Sequence, residues 1–147
     1  MATWDELERD VPGFAAKVQG RFLAGANATL ATVRRDGAPR ISGTELTFAD
    51  GQVRLAMMAD SVKLYDVRRD PRVALHSPTT DAPGSRPDEQ PGDAKLAGTL
   101  LQTESLPDGA MFRLDITEAV FTFLRGDQLT IESWDPGRKL RRRTRPI

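Results

Sequence analysis

Between Ala28 and Trp134 the chain breaks into short alternating segments separated by turn residues. Asp36-Gly37 and Asp50-Gly51 sit between such segments. Asp-Gly is a strong hairpin signal because glycine, and less readily aspartate, tolerates positive φ. In the segment after the second turn, Val53, Leu55 and Met57 alternate with Gln52, Arg54 and Ala56, the period of a half-buried strand. The punctuation therefore predicts strands over 28–34 and 38–48 and a third from Gln52, joined as an antiparallel meander. Further strands are expected over 72–77, 95–104, 111–124 and 129–134. Seven short strands leave few solutions other than a small antiparallel barrel.

Three helical pieces complete the reading. Thr3 with Asp5 and Glu6 marks a helix start, and Pro12, ill-suited to a helix interior, divides the N-terminal region in two. The second piece, 12–24, places Phe14, Val18, Phe22 and Leu23 on one side and ends at Gly25. An internal helix is expected over 60–69, capped by Asp60 or Ser61 and stopped by Pro71. Pro78 to Gly92, rich in Pro, Asp, Gly and Ser, reads as a loop, and Asp88 to Asp93 as its solvated end.

At 147 residues one domain is the simplest organisation. Without cysteine there is neither a disulfide framework nor a thiolate metal site, and one histidine, His76, excludes a multi-histidine centre within one chain. His76, before a proline at a strand end, reads as a hydrogen-bonded structural residue rather than a proton donor. No apolar run approaches the roughly 20 residues needed to span a bilayer, and no secretory leader pattern opens the chain. The expectation is a cytoplasmic protein with no membrane partner.

The net charge of zero hides an asymmetry. Arg138 to Ile147 carries six basic residues and no acid, which leaves 15 basic against 21 acidic groups in residues 1–137, a net of −6. Such a tail can pair with its own body, a second subunit or an anionic ligand. It has no aromatic interleaving, and with an acidic body this argues against a nucleic-acid binder.

Ser61-Val62-Lys63 carries the sharpest chemistry. A lysine in a first helical turn lies near the positive end of the macrodipole, where a cation is mildly unfavourable. An anion docked there would draw the free amides, the Ser61 hydroxyl and the Lys63 ammonium together, which points to a phosphate pocket. An ordinary solvated lysine is the competing reading.

On these residues the chain resembles the flavin-binding split barrels of the pyridoxamine 5′-phosphate oxidase superfamily, which also contains deazaflavin-dependent reductases. The resemblance runs through Ala-Thr-Leu-Ala-Thr-Val (28–33), Asp36-Gly-Ala-Pro39, Ser-x-Lys (61–63) and Arg69-Asp-Pro-Arg-Val-Ala-Leu75. It implies a mainly β fold: a split β-barrel of six to seven antiparallel strands with an N-terminal helix and one internal helix. It also implies a homodimer with the cofactor, FMN or the deazaflavin coenzyme F-420, at the interface.

Carried over by position, Arg40, Ile41, Ser42 and Gly43 would line the ring, with Ala56 and Met57 beside it. Ser61 and Lys63 would hold the cofactor phosphate. Val62 stands where the oxidases usually have a second phosphate-binding arginine. Glu132-Ser-Trp-Asp-Pro-Gly-Arg-Lys-Leu-Arg-Arg-Arg143 resembles the oxidase C-terminal pattern. Trp134 would then pack near the cofactor and Arg143 near the ring's polar edge, with Lys139 and Arg141 at the substrate. The oxidase substrate-binding histidine is absent, which argues against pyridoxamine phosphate. The resemblance implies an oxidoreductase moving hydride to or from a small molecule, with a non-catalytic flavin-binding or sequestering protein as the alternative.

Overall fold

The computed structural model describes residues 1–79 and 91–147; most of the expected 78–92 loop, and much of its 88–93 end, lies outside them. The chain begins with two helices, α1 (Trp4–Asp10) and α2 (Pro12–Phe22). Thr3 caps α1 in a reciprocal box with Glu6, and Pro12 occupies the first turn of α2, where a missing N–H costs nothing. Phe14, Ala15, Val18 and Phe22 are buried. Leu23 was expected on the same face, but it follows the last helical turn and is 57% exposed.

Four strands follow: β1 (Ala28–Val33), β2 (Pro39–Thr44), β3 (Thr47–Ala49) and β4 (Gln52–Met58). The two Asp-Gly turns differ. Asp50 and Gly51 both have positive φ, 55° and 71°, as a two-residue hairpin requires, whereas at 36–37 only Gly37 is left-handed, at 88°. The expected three-strand meander does not form. The 38–48 segment breaks after Thr44; β2 pairs only with β1, and β3 only with β4.

Helix α3 (Val62–Arg69) and β5 (Arg72–His76) come next, then the long strands β6 (Asp93–Leu106) and β7 (Gly109–Arg125), β8 (Gln128–Trp134) and β9 (Arg141–Pro146). The paired order is β2-β1-β5-β6-β7-β4-β3, antiparallel where register is assigned, with β8 on β7 and β9 on β8. Residues 141–146 of the basic tail are thus a strand.

The split is made by β7. One of its edges pairs with β6 along nearly its whole length. The other is shared: residues 109–113 pair with β4, and residues 119–125 with β8. A 17-residue strand is needed to serve two neighbours end to end. Where the β6–β7 register shifts, Gly98 lies so close to β7 that a Cβ would sit 1.9 Å from the Asp115 carbonyl oxygen, so no side chain fits.

Leu30, Leu75, Leu96, Leu114 and Ile116 fill the barrel. Trp4 packs edge-on against Phe48 at 4.8 Å, tying α1 to the barrel, and Ala2 exchanges two backbone hydrogen bonds with Ile116. Among the described residues no helix is long and apolar enough to cross a membrane.

Candidate functional site

Ser61 is the N-cap of α3, with extended backbone at φ −69° and ψ 142°. A serine there ordinarily turns its hydroxyl onto a first-turn amide. Ser61 does not: it makes no cap bond, and its buried Oγ has no partner among the described residues. Two residues on, the half-buried Lys63 donates from Nζ to the Gly43 carbonyl at 2.9 Å. It meets no carboxylate among the described residues, and burial lowers the pKa of its ammonium. The hydroxyl of Ser42, next to Gly43, is likewise buried without a partner.

This donor set suits a phosphate. Two hydroxyls and an ammonium that find no partner or counter-charge among the described residues, and the first-turn amides of an eight-residue helix, are all donors. A buried polar group without a partner costs roughly 1 to 3 kcal/mol, which an anion accepting its hydrogen bond would relieve.

Alternation along β2 splits the expected ring-lining residues. Ser42 pairs with Leu30 and Arg40 with Thr32, both on the inner side, while Ile41 and Gly43 project outward. Arg40 is tied inward: its Nε donates to Asp66 Oδ2 at 2.7 Å. The same oxygen accepts the Thr32 hydroxyl at 2.8 Å, and Asp66 Oδ1 accepts from Arg69 at 3.2 Å. Asp66 is 2% exposed. Burial pushes its carboxyl up, but the hydrogen bonds from Arg40, Thr32 and Arg69 outweigh it and hold the pKa below the ordinary value. This buried knot fixes α3 on β1 and β2, and so fixes Lys63 over Gly43. Nothing in the sequence marked Asp66; its partners stand up to 34 residues away. On β4, Ala56 faces outward and Met57, 2% exposed, faces the core.

The Asp70-Pro71 ending of α3 also has a physical basis. Asp70 accepts from Arg72 Nε and Nη2 at 3.0 and 2.7 Å, and from the Arg72 amide. These bonds hold its carboxyl down to about 2 and start β5 directly after the proline.

The residues expected from the C-terminal pattern lie across the sheet. Trp134 is 3% exposed, and its Nε1–H donates to Asp10 Oδ2 at 2.7 Å, so the indole serves the packing of α1 against β8. Lys139 lines a cleft between α1 and the turn after β8. Arg141 donates to Asp135 at 2.6 Å, while Arg143 is exposed and has no acidic partner among the described residues. Buried Glu132, beside Trp134, pairs with Lys17 and with Arg142.

Register links the two groups. Thr29, His76, Lys95, Val120, Ser133 and Arg141 are consecutive partners across β1, β5, β6, β7, β8 and β9. Beyond Thr29 the row reaches Gly43, the residue that Lys63 touches. His76 Nδ1 lies 2.7 Å from the Ser77 carbonyl, which only accepts, so Nδ1 carries the hydrogen. This is the hydrogen-bonded histidine expected from sequence.

No family model and no curated protein matches the sequence. Solved structures do. The chain is similar to PhzG from Burkholderia lata 383, in complex with tetrahydrophenazine-1-carboxylic acid, at 12% identity, covering 97% of this chain and 91% of that one, with a TM-score of 0.68. A pyridoxamine 5′-phosphate oxidase-related, FMN binding protein from Nostoc punctiforme PCC 73102 matches at 14% identity, over 100% and 98% of the two chains, with a TM-score of 0.61. The chain has the split-barrel fold of these proteins. An F420 reductase shares it at 15% identity, over 67% of this chain and 92% of that one, with a TM-score of 0.51.

Proposed function

We propose that this split barrel is a flavin- or deazaflavin-dependent oxidoreductase that binds FMN or coenzyme F-420 between two copies of the chain. The observation carrying the reading is the first turn of α3, where among the described residues the Lys63 ammonium has no carboxylate partner and the buried Ser61 hydroxyl no hydrogen-bond partner. The FMN binding protein and the F420 reductase of the same fold support it.

In this reading Ser61, Ser42 and Lys63 hold the cofactor phosphate, and the outward Ile41, Gly43 and Ala56 form an apolar wall for the ring. The bound cofactor supplies the hydride chemistry. The chain orients the partners, and the guanidinium of Arg143, without an acidic partner among the described residues, offsets negative charge developing at the ring's polar edge. Trp134 acts from behind, bracing the turn that leads to β9. Lys139 and Arg141 are left for the substrate.

Dimerisation belongs to the same reading. Ile41 and Met58, each 73% exposed, and Val62 and Tyr65, 54% and 56% exposed, lie on β2, β4 and α3, the elements that carry Gly43, Ala56 and Lys63. A second copy would cover them and bring its basic β9 to an acidic body. In the same reading this activity belongs to the cytoplasm.

The test is the absorption spectrum and equilibrium titration of purified protein with FMN and, separately, with the deazaflavin. Saturable binding of one of them, with reduction and reoxidation by an acceptor, supports the enzyme. Failure of both cofactors to bind overturns the reading.

A further inference from the structure

The imidazole of His76, the last residue of β5, has one nitrogen committed and one open. Nδ1 carries the hydrogen that the Ser77 carbonyl accepts at 2.7 Å, which fixes both the tautomer and the ring orientation. In the neutral ring Nε2 is then a bare lone pair, and no hydrogen bond reaches it among the described residues. Asp93 Oδ2 stands 4.0 Å from it, too far for a hydrogen bond but placed to balance an imidazolium once one forms.

Register puts this open nitrogen on the face that carries Gly43. His76 pairs with Thr29 and Thr29 with Gly43, whose carbonyl Lys63 holds. That is two strands, roughly 10 Å between Cα atoms at ordinary sheet spacing. In the neighbouring row Ile41, Ala31 and Ala74 point the same way. Thr29, Ala31 and Ala74 thus floor the ground between Gly43 and the imidazole with small side chains, over which a flat ring can lie. Among the described residues the charged groups facing His76 are Asp93 and Lys95, both from β6; β1 contributes Thr29 and no charge.

We propose that His76 is the proton-exchanging residue of the cofactor site: Nε2 takes up a proton when the bound cofactor is reduced and returns it on reoxidation. The proposal rests on the oxidoreductase reading. A hydride from the reductant brings two electrons and one proton and leaves the ring one negative charge richer. Nε2 binds one further proton from solvent, so the imidazolium offsets that charge. When the hydride leaves for an acceptor, the Nε2 proton is released with it. The Nδ1 bond to Ser77 keeps Nε2 the exchanging atom in both states.

The experiment uses the full chain labelled with nitrogen-15. The chain has one histidine, so its imidazole signals are unambiguous. Spectra are recorded at pH 7 with FMN, oxidised and then reduced by dithionite, and with the deazaflavin, oxidised and then reduced by borohydride. Reduction of the bound cofactor should raise the ratio of protonated to neutral His76 about tenfold, the response to one nearby unit charge. His76→Asn, whose amide can still donate to the Ser77 carbonyl, should make the bound cofactor harder to reduce by up to about tenfold. That corresponds to a midpoint potential up to about 30 mV lower. An identical ratio in the oxidised and reduced complexes, or an unchanged midpoint in His76→Asn, overturns the proposal. Failure of both cofactors to bind sinks the oxidoreductase reading and this proposal together, whereas saturable binding with an unresponsive His76 sinks this proposal alone.

Discussion

Lys63 donates a 2.9 Å hydrogen bond to the Gly43 carbonyl, joining the first turn of α3 to the edge strand β2 with no carboxylate among the described residues to balance the charge. Burial lowers the Lys63 pKa, so the folded state holds its proton less tightly than the unfolded chain does. The charged form is therefore a cost at neutral pH, removed only as pH rises past the unfolded value. Lys63→Met should leave the stability of the unliganded protein unchanged or raised. The same change should weaken binding of FMN or the deazaflavin about tenfold, as loss of a charge-assisted contact does. Calorimetric melting with and without cofactor reads both effects; equal stabilisation of the two proteins by cofactor would remove Lys63 from the phosphate.

Asp66→Ala should be among the most damaging single changes in the chain. It strips the common acceptor from Thr32, Arg40 and Arg69 and leaves two guanidinium groups facing an empty centre. Removing one partner of a buried ion pair costs about 3 to 5 kcal/mol. Urea unfolding should show that loss, and Lys63 should lose its place over Gly43 with it. A change under about 1 kcal/mol would mean the knot is not what holds α3.

Acid should unfold the protein through two buried carboxylates. For Glu132, as for Asp66, burial pushes the carboxyl up and hydrogen bonds, here from Lys17 and Arg142, pull it further down. Both folded pKa values lie below the unfolded ones, so each group adds stability above its unfolded pKa. That contribution is lost as pH falls through the folded value. Stability should be flat from about pH 7 to 5 and fall steeply below about 4. Asp66→Asn should flatten part of that fall, which pH-dependent denaturant midpoints would show.

Gly98→Ala should destabilise through backbone, not side-chain, collision. The added Cβ would meet the Asp115 carbonyl oxygen at 1.9 Å and its carbon at 2.9 Å, where neither strand can yield without disturbing the β6–β7 register shift. Overpacking of this kind costs about 1 to 3 kcal/mol or more. Thermal unfolding of the variant checks it; an unchanged midpoint would mean the two strands separate freely there.

Local signals carried most of the elements and little of the architecture. Thr3, Pro12, Asp50-Gly51 and Asp70-Pro71 act on their immediate neighbours, so the boundaries they set were readable one segment at a time. Pairing was not. Nothing near 38–48 reveals that β2 returns to β1 alone while β4 crosses to the start of β7. That choice is made by burial across the whole barrel. The candidate site followed the same rule: Ser61 and Lys63 were singled out by helix-start chemistry alone, whereas Asp66 acquires its bonds from Thr32 and Arg40, on other elements.

The Trp134–Asp10 contact separates a structural from a cofactor role for the indole. Its N–H is buried and satisfied by a carboxylate on α1 at 2.7 Å. Asp10→Ala strands that donor and should cost about 1 to 3 kcal/mol, whereas Trp134→Phe removes the donor itself along with part of the packing. In the double variant the losses should fall short of their sum by about 1 kcal/mol, the coupling of two groups in direct contact. Because the side chain faces α1 and the core, Trp134→Phe should change cofactor affinity by less than about twofold, under 0.5 kcal/mol. Urea titrations of the four proteins give the coupling, and flavin titrations of the same set give the affinity. A large affinity loss in Trp134→Phe with unchanged stability would place the indole against the ring instead.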